Sequence, residues 1–365
     1  MKKKVLHVLG GMGRGGAPSF IINNLREIDG QKVQFDFLVR KDNCAFNETI
    51  EKHGGHVFVV AGFPGHLIAN YKQTLKFFQE RGHEYEAVHV HANALYYILP
   101  LILGKRYGIK KLILHSHNTQ SNVCLLQPLH YMNKLFVDKL ANVFLACGES
   151  AGKWMYGNRR FEVINNAVDV QKFAFDTASR KEIRSHFGIS DDTLVIGNVG
   201  RFEDAKNHRF LIDLFFKYHS QNYKSILLLV GDGSLKTEIE LKVKELGIQD
   251  SVYFLGVRSD VEKLYSSFDL FLMPSIFEGL PFVLIEAQCS GVKCLVSENV
   301  TTEALITDLV ITKKLNDSIE SWCEEISKSS QVINTKKRLL YSQVVKEKYY
   351  DIQYTAERLT SIYTS

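Results

Sequence analysis

Short apolar, β-branched runs alternate with helix-like stretches along nearly the whole chain, and this alternation limits the folds open to it more than any other feature. Val5–Leu9, Phe35–Val39, Val57–Val60, Ala87–Val90, Leu112–Leu114 and Val143–Ala146 read as buried strands, each followed by an amphipathic segment. After a break near 165–178 the pattern restarts with Leu194–Val199, Ile226–Val230, Val252–Leu255, Leu270–Met273 and Cys294–Val296. Strands that are apolar throughout, separated by helices, belong to parallel sheets covered on both faces. Two such sets in 365 residues predict an α/β chain of two doubly wound domains. In such folds ligands gather at the carboxyl ends of strands, so the loops just after the strands carry the information.

The first of these loops is Gly10-Gly11-Met12-Gly13-Arg14-Gly15-Gly16-Ala17-Pro18. Glycines there let backbone amides approach an anion at the start of a helix. The run fits a dinucleotide-binding pattern, but that pattern expects an acidic residue at the end of the second strand. The second strand, Phe35-Asp36-Phe37-Leu38-Val39-Arg40, keeps its acid inside and ends on arginine. A phosphate- or sugar-approach loop is the better reading, with a plain tight turn beside it.

The second half is sharper. Gly200-Arg201-Phe202 leaves a strand and leads through Lys206 into a helix. Two fixed cations beside a helix start suit a diphosphate; solvated surface charges are the bland alternative. Gly231-Asp232-Gly233 is another strand-end turn, open to either role. In Met273–Ala287, Glu278 sits in a loop, Gly279 and Leu280 follow, Pro281 fits the first helical position, and Glu286 lies on an otherwise apolar helix. A carboxylate in that setting needs strong hydrogen-bond donors, and a ribose diol supplies two. A capping acid and a core acid with structural partners are the alternatives.

In the first half, a strand ends in His115-Ser116-His117-Asn118, and His89 and His91 form a similar pair. The first pair can serve as acid/base or donor groups, or as ordinary loop residues; a structural role is favoured for the second. With no third ligand at metal spacing, zinc is not expected. The chain contains no Asp-x-Asp, the paired acids with which many sugar-nucleotide enzymes hold a metal.

These residues together resemble the retaining, family-4 glycosyltransferases of the GT-B fold. The likeness covers nearly the whole chain: the glycine loop, His115–His117, Val163–Asp169, Gly200–Phe202 with Lys206, Gly231–Gly233, and the two acids Glu278 and Glu286. Ala167 stands where that family usually has glycine. The resemblance implies two Rossmann-like domains facing a cleft: 1–168, with a final helix 348–365 crossing back, and 169–347. It assigns Arg201 and Lys206 to the donor diphosphate, Glu286 to the ribose, Glu278 to the sugar, and His117 to a place near the transferred sugar. Gly15, Gly16, Gly200, Gly231, Val257, Arg258, Gly279 and Leu280 complete the expected donor site, with Gly13, His115 and Asn118 on the acceptor side. It implies a nucleotide-sugar donor, most often a UDP-sugar, and a glycan or lipid-linked acceptor. The expected transfer retains anomeric configuration and uses no metal or other cofactor, with Arg201 and Lys206 neutralising the leaving diphosphate. A sugar-nucleotide epimerase, a dinucleotide oxidoreductase and a non-catalytic partner subunit are the competing classes.

Charge adds one further expectation. Residues 1–170 carry 21 Lys+Arg against 13 Asp+Glu, a balance of +8, whereas 171–365 hold 24 against 27, a balance of −3. No nucleic-acid module accompanies the basic half. It reads either as a solvated face or as a surface docking on anionic lipid through Lys2–Lys4, Lys72, Lys76, Lys105, Arg106, Lys110 and Lys111. The six cysteines form no Cys-x-x-Cys pair and read as buried free thiols. With neither a secretory signal nor a membrane span in the sequence, the expected place is the cytoplasm, at the inner face of the membrane if the docking reading holds.

Overall fold

The computed structural model describes residues 2–119, 123–330 and 334–365, without the side chain of Cys124. The chain forms two compact units, 1–167 with 352–365, and 168–351. The return to the first unit thus falls at 351/352, a few residues later than the sequence division.

The first unit is built on a sheet of seven strands: β1 (Lys3–Leu9), β2 (Val33–Val39), β3 (Val57–Val59), β4 (Ala87–Ala92), β5 (Lys111–Ser116), β6 (Val143–Ala146) and β7 (Glu162–Val163). Their order is β3-β2-β1-β4-β5-β6-β7, all parallel. The second sheet has six strands: β8 (Leu194–Val199), β9 (Ser225–Val230), β10 (Val252–Phe254), β11 (Leu270–Met273), β12 (Lys293–Ser297) and β13 (Val310–Lys313), in the order β10-β9-β8-β11-β12-β13. These strands too are parallel. Each unit is Rossmann-like, and together they are the α/β GT-B architecture. The central strands are buried over nearly their whole length, as continuous apolar runs require. β7 and β13, which the sequence reading lacks, are short, partly buried edge strands.

In each sheet the strand order reverses at one point, between β1 and β4 and between β8 and β11. A crevice opens outside the strand ends at such a switch point. The glycine loop follows β1, Arg201 follows β8, and the Glu278 loop follows β11. Topology therefore delivers the candidate residues to the two places where a doubly wound sheet can bind ligands.

The last helix, Ile352–Thr364, packs on the first unit. Its buried residues Ile352, Thr355, Ala356, Leu359 and Tyr363 recur at helical spacing. Thr355 reaches Asn24 at 3.0 Å, and Arg358 donates two hydrogen bonds to Glu162. No helix among the described residues is long and apolar enough to cross a membrane. Cys289, Cys294 and Cys323 are buried free thiols and Cys147 is buried as well, whereas Cys44 is only partly buried.

Candidate active site

In the second unit the turns after β8 and β9 mesh backbone against backbone. Gly231 adopts φ +139°, and a Cβ there would stand 1.9 Å from the carbonyl oxygen of Gly200. Only glycine fits so close an approach. The Gly231 amide donates to Gly256 at 2.8 Å, which joins the Leu255–Arg258 loop to the same turn. After Gly200 the chain runs through a short 3₁₀ turn, Asp204–Lys206, and Asn207 in the left-handed region (φ 59°) before the helix His208–Gln221.

The loop after β11 is tied to both flanking strand ends. Ile276 donates its amide to Ala205, Asn207 Nδ2 donates to Pro274 O, Ser297 donates its hydroxyl to Ser275 O, and Asn299 Nδ2 donates to Ile276 O. This bracing carries Glu278 to Lys206, whose ammonium forms an ion pair with Glu278 Oε1. Ser275 donates to the same oxygen at 2.9 Å. A lysine ammonium has three donors, so Lys206 retains capacity for a further anion. Arg201 is exposed, and its guanidinium has no partner among the described residues. Pro281 is the cap preceding the helix Phe282–Cys289 rather than its first residue, because its ψ of 120° is still extended.

Glu286 lies in the second turn of that helix, and its Oε2 accepts a 2.9 Å hydrogen bond from the Tyr265 hydroxyl. Burial pushes its carboxyl up to about 7, against the pull of Tyr265. Tyr265 was missed in the sequence, for its partner lies 21 residues away on another helix. Val257 is exposed, Leu280 is buried and Gly279 has open space around it. Arg258 is held by a bidentate pair with Asp260, at 2.8 and 2.7 Å.

The first unit holds a feature larger than its motifs announced. His7 on β1, His89 and His91 on β4, and His115 and His117 at the end of β5 share one face of the sheet. Strand pairing sets His7 opposite His89 and His91 opposite His115. His7 Nδ1 is 2.9 Å from His91 Nε2, and His91 Nδ1 is 2.8 Å from His117 Nε2. His89 bridges His115 at 3.2 Å and the Tyr363 hydroxyl at 2.7 Å. Phe20 packs against His115 and His117. Burial lowers all five rings, His7 and His117 to about 3.

Space thus supplies the third histidine that sequence spacing did not: His7, His89 and His91, and again His91, His115 and His117, bring ring nitrogens within 4.8 Å of one another. Their chemistry favours a neutral stack. The rings already pair donor with acceptor, and neither trio contains a carboxylate to offset a buried divalent charge. Among the other first-unit candidates, Gly15 is the extended cap of the helix Gly16–Glu27, with its amide on Gly13 O at 2.9 Å. Asn118 accepts from the Thr119 amide.

Two doubly wound units, with cations and carboxylates at one switch point and a glycine loop at the other, place the protein in the class of α/β proteins that bind ligands at strand ends. Comparison with known proteins gives the family. The model described as Glycosyl transferases group 1 matches residues 179–352. EpsF of Bacillus subtilis, a glycosyltransferase by name, is 34% identical over 378 aligned residues, covering 99% of this chain and 96% of that protein. An Escherichia coli UDP-Gal:alpha-D-GlcNAc-diphosphoundecaprenol alpha-1,3-galactosyltransferase is 29% identical over 143 residues, 38% of this chain and 36% of its own length. The crystal structure of Anabaena HepE in complex with UDP and glucose matches with a TM-score of 0.75 over 98% of both chains at 19% identity, a likeness of fold. The chain belongs to the group 1 glycosyltransferases and is an enzyme of that activity.

Proposed function

We propose that this glycosyltransferase moves a sugar from a nucleotide-diphosphate sugar, a UDP-sugar foremost, to a hydroxyl of a glycan or lipid-linked acceptor, with retention of configuration and without a metal. The observation that carries the reading is the Lys206–Glu278 pair, with Ser275, in the loops that follow β8 and β11 at their switch point, the first of which also carries Arg201. The names of the relatives agree with it: one uses UDP-Gal and a diphosphoundecaprenol-linked sugar, and the HepE crystals contain UDP and glucose.

In this reading Arg201 and Lys206 hold the diphosphate, Glu286 accepts from the ribose, and Glu278 accepts from a sugar hydroxyl while fixing the Lys206 ammonium. Val257 and Arg258 lie by the nucleobase. The bond between C1 and the phosphate oxygen breaks, and its electron pair passes to the diphosphate, where the two cations stabilise it. The acceptor oxygen bonds to C1 from the same face and gives its proton to the departing phosphate oxygen. No protein base is needed for that step. The first unit receives the acceptor, with His117 at the strand exit.

A contact with anionic membrane belongs to the same proposal, at a different place from the predicted lysines. Lys4 pairs with Glu84, Lys3 with Glu86 and Lys76 with Glu80, and Lys111 is taken up by the final residues of the chain. The helix Gln127–Leu135 instead turns its polar His130 and Asn133 inward to the backbone of Leu95 and leaves Tyr131, Met132 and Leu135 exposed, with Leu125 before them and Phe136 after. Such a stripe is suited to the acyl–headgroup boundary.

The test is a panel of nucleotide sugars assayed with chelator present, with and without lipid-linked acceptors, and with the anomeric configuration of the product read by NMR. Transfer from a UDP-sugar with retention, undiminished by chelator, is expected. Inversion, loss of turnover on chelation, or conversion of the donor alone without acceptor would overturn the corresponding part.

A further inference from the structure

A cavity of about 330 Å³ opens at the switch point of the first sheet, lined by the ends of β1 and β4, Gly10 and Gly11, the first turn of the helix Gly16–Glu27, and Arg40. Arg40 is the only charged side chain in that lining. Its guanidinium lies over the ring of Tyr97 at 4.3 Å, and its Nε is buried without a hydrogen-bond partner. No carboxylate pairs with it among the described residues.

The other deeply placed arginines of the protein pair their terminal nitrogens with acceptors, although Arg184 Nε, like Arg40 Nε, is buried without one. Arg338 donates to the carbonyl oxygens of Tyr265, Ser266, Phe268 and Ser290. Arg184 donates to Asp269, Ser190 and Thr193. Leaving a buried N–H such as that of Arg40 Nε without an acceptor is costly, and burial holds Arg40 below the ordinary arginine value. A planar fork of N–H donors is matched by the oxygens of a phosphate or a carboxylate. The surroundings favour an anion further. Gly10 has no side chain, so a terminal nitrogen of Arg40 stands 3.6 Å from where its Cβ would be. Gly15, the cap of the adjoining helix, has no side-chain hydrogen bond to that helix, so the positive end of the helix stays available to a ligand.

We propose that Arg40, the Gly10–Gly11 turn and the start of the helix Gly16–Glu27 form an oxyanion subsite in the first unit, and that the acceptor carries a phosphate or carboxylate held there. The anion site stands on the cavity and the unpaired guanidinium; calling its ligand the acceptor rests on the proposed transfer reaction. An acceptor bound this way is an acidic glycan or a phosphate-bearing lipid-linked sugar, not a neutral one.

The experiment uses the full chain with Arg201→Ala and Lys206→Ala, which removes the donor-side cations, and titrates it calorimetrically with inorganic pyrophosphate, glucuronate and methyl glucoside. We expect one of the two anions to bind, with affinity at least tenfold weaker after Arg40→Gln, and no binding of the neutral sugar. The tighter anion tells a phosphate-bearing acceptor from a uronic one. Arg40→Gln should leave the melting temperature unchanged or raise it, since it removes a half-buried charge with no carboxylate partner among the described residues. A marked fall in melting temperature with no change in anion affinity would make Arg40 a packing residue and overturn the subsite, as would anion binding indifferent to Arg40 or absent altogether. Anion binding that depends on Arg40, together with no sugar transfer by the unaltered protein, would fault the reaction assigned, not the subsite.

Discussion

His91 Nδ1 lies 2.8 Å from His117 Nε2, and its own Nε2 lies 2.9 Å from His7 Nδ1, so one ring links the depth of the sheet to its exit. A neutral imidazole has one donor and one acceptor nitrogen. If His91 donates from Nδ1 it must accept at Nε2, and the three rings then share one tautomer; a proton on His91 Nε2 reverses all three together. Nitrogen-15 spectra of histidine-labelled protein at pH 7.5 should therefore show a single common tautomer for His7, His91 and His117. Mixed tautomers along the chain would break the argument.

The same stack ties stability to pH. Five rings are held below the value near 6.5 that each has when unfolded. Below pH 6.5 the unfolded chain binds protons that the folded chain refuses. The stability contributed by neutral rings is thus present above pH 6.5 and lost as pH falls below it. Each ring that stays neutral costs about 1.4 kcal/mol per pH unit in that range, and the loss continues towards pH 3 for His7 and His117. Urea unfolding should show a steep drop in stability between pH 7 and pH 5. A flat profile across that interval would mean the rings accept protons in the folded state.

What the sequence made legible follows from the parallel sheet itself. Every strand of the two sheet centres was readable as an apolar run, because burial on both faces leaves no polar alternation. β7, two residues long, and β13, Val-Ile-Thr-Lys at an edge, lack that burial and so lack the signal. Arg201, Lys206 and Glu278 stood out because strand exits are where this topology can act. The histidine stack was half visible: the period of two in His89/His91 and His115/His117 puts each pair on one face. Which strands lie side by side is a property of register, which a single sequence does not display. Arg40 was noticed only as the wrong residue for a dinucleotide site, and its meaning needed the cavity around it.

The carboxyl of Glu286 should make nucleotide binding pH-dependent. With its ordinary value raised to about 7 by burial, it is a carboxylate, and a full acceptor for ribose hydroxyls, only above neutrality. The affinity for UDP should weaken about tenfold between pH 8 and pH 6, the amount expected for one proton that must be absent from the complex. Tyr265 donates to this carboxylate and pulls the value down. Tyr265→Phe should therefore shift the loss of affinity to higher pH. Calorimetry across that range in both proteins checks the sign, and a pH-independent affinity would remove Glu286 from the ribose.

Arg201 and Lys206 are predicted to act on turnover more than on folding. Removing a fixed donor from developing oxyanion charge costs about a hundredfold or more in kcat, so Arg201→Ala and Lys206→Ala should each fall by at least that factor. Arg201 is exposed and unpartnered among the described residues, so its replacement should change stability by less than about 0.5 kcal/mol. Lys206→Ala additionally releases Glu278 from its ion pair, and the loss in the double variant should be less than the product of the singles. Near-normal turnover in the double variant would remove the diphosphate from this site.

Membrane contact, finally, separates the basic face from the apolar stripe. Near the first strand and the 67–81 helix, Lys3, Lys4 and Lys76 face carboxylates and Lys111 reaches the end of the chain, and paired surface charges offer little attraction to a lipid surface screened by salt. Tyr131, Met132, Leu135 and Phe136 are each at least half exposed, and Leu125 almost wholly so. A stripe of this kind, on a helix whose His130 and Asn133 point inward, has apolar area left exposed among the described residues and available to bury. Co-sedimentation with phosphatidylglycerol vesicles should therefore be abolished by Met132→Glu with Leu135→Glu and survive Lys2→Gln with Lys3→Gln. The reverse pattern would return docking to the basic terminus, and an absence of binding by the unaltered protein at low salt would leave the stripe to a protein partner.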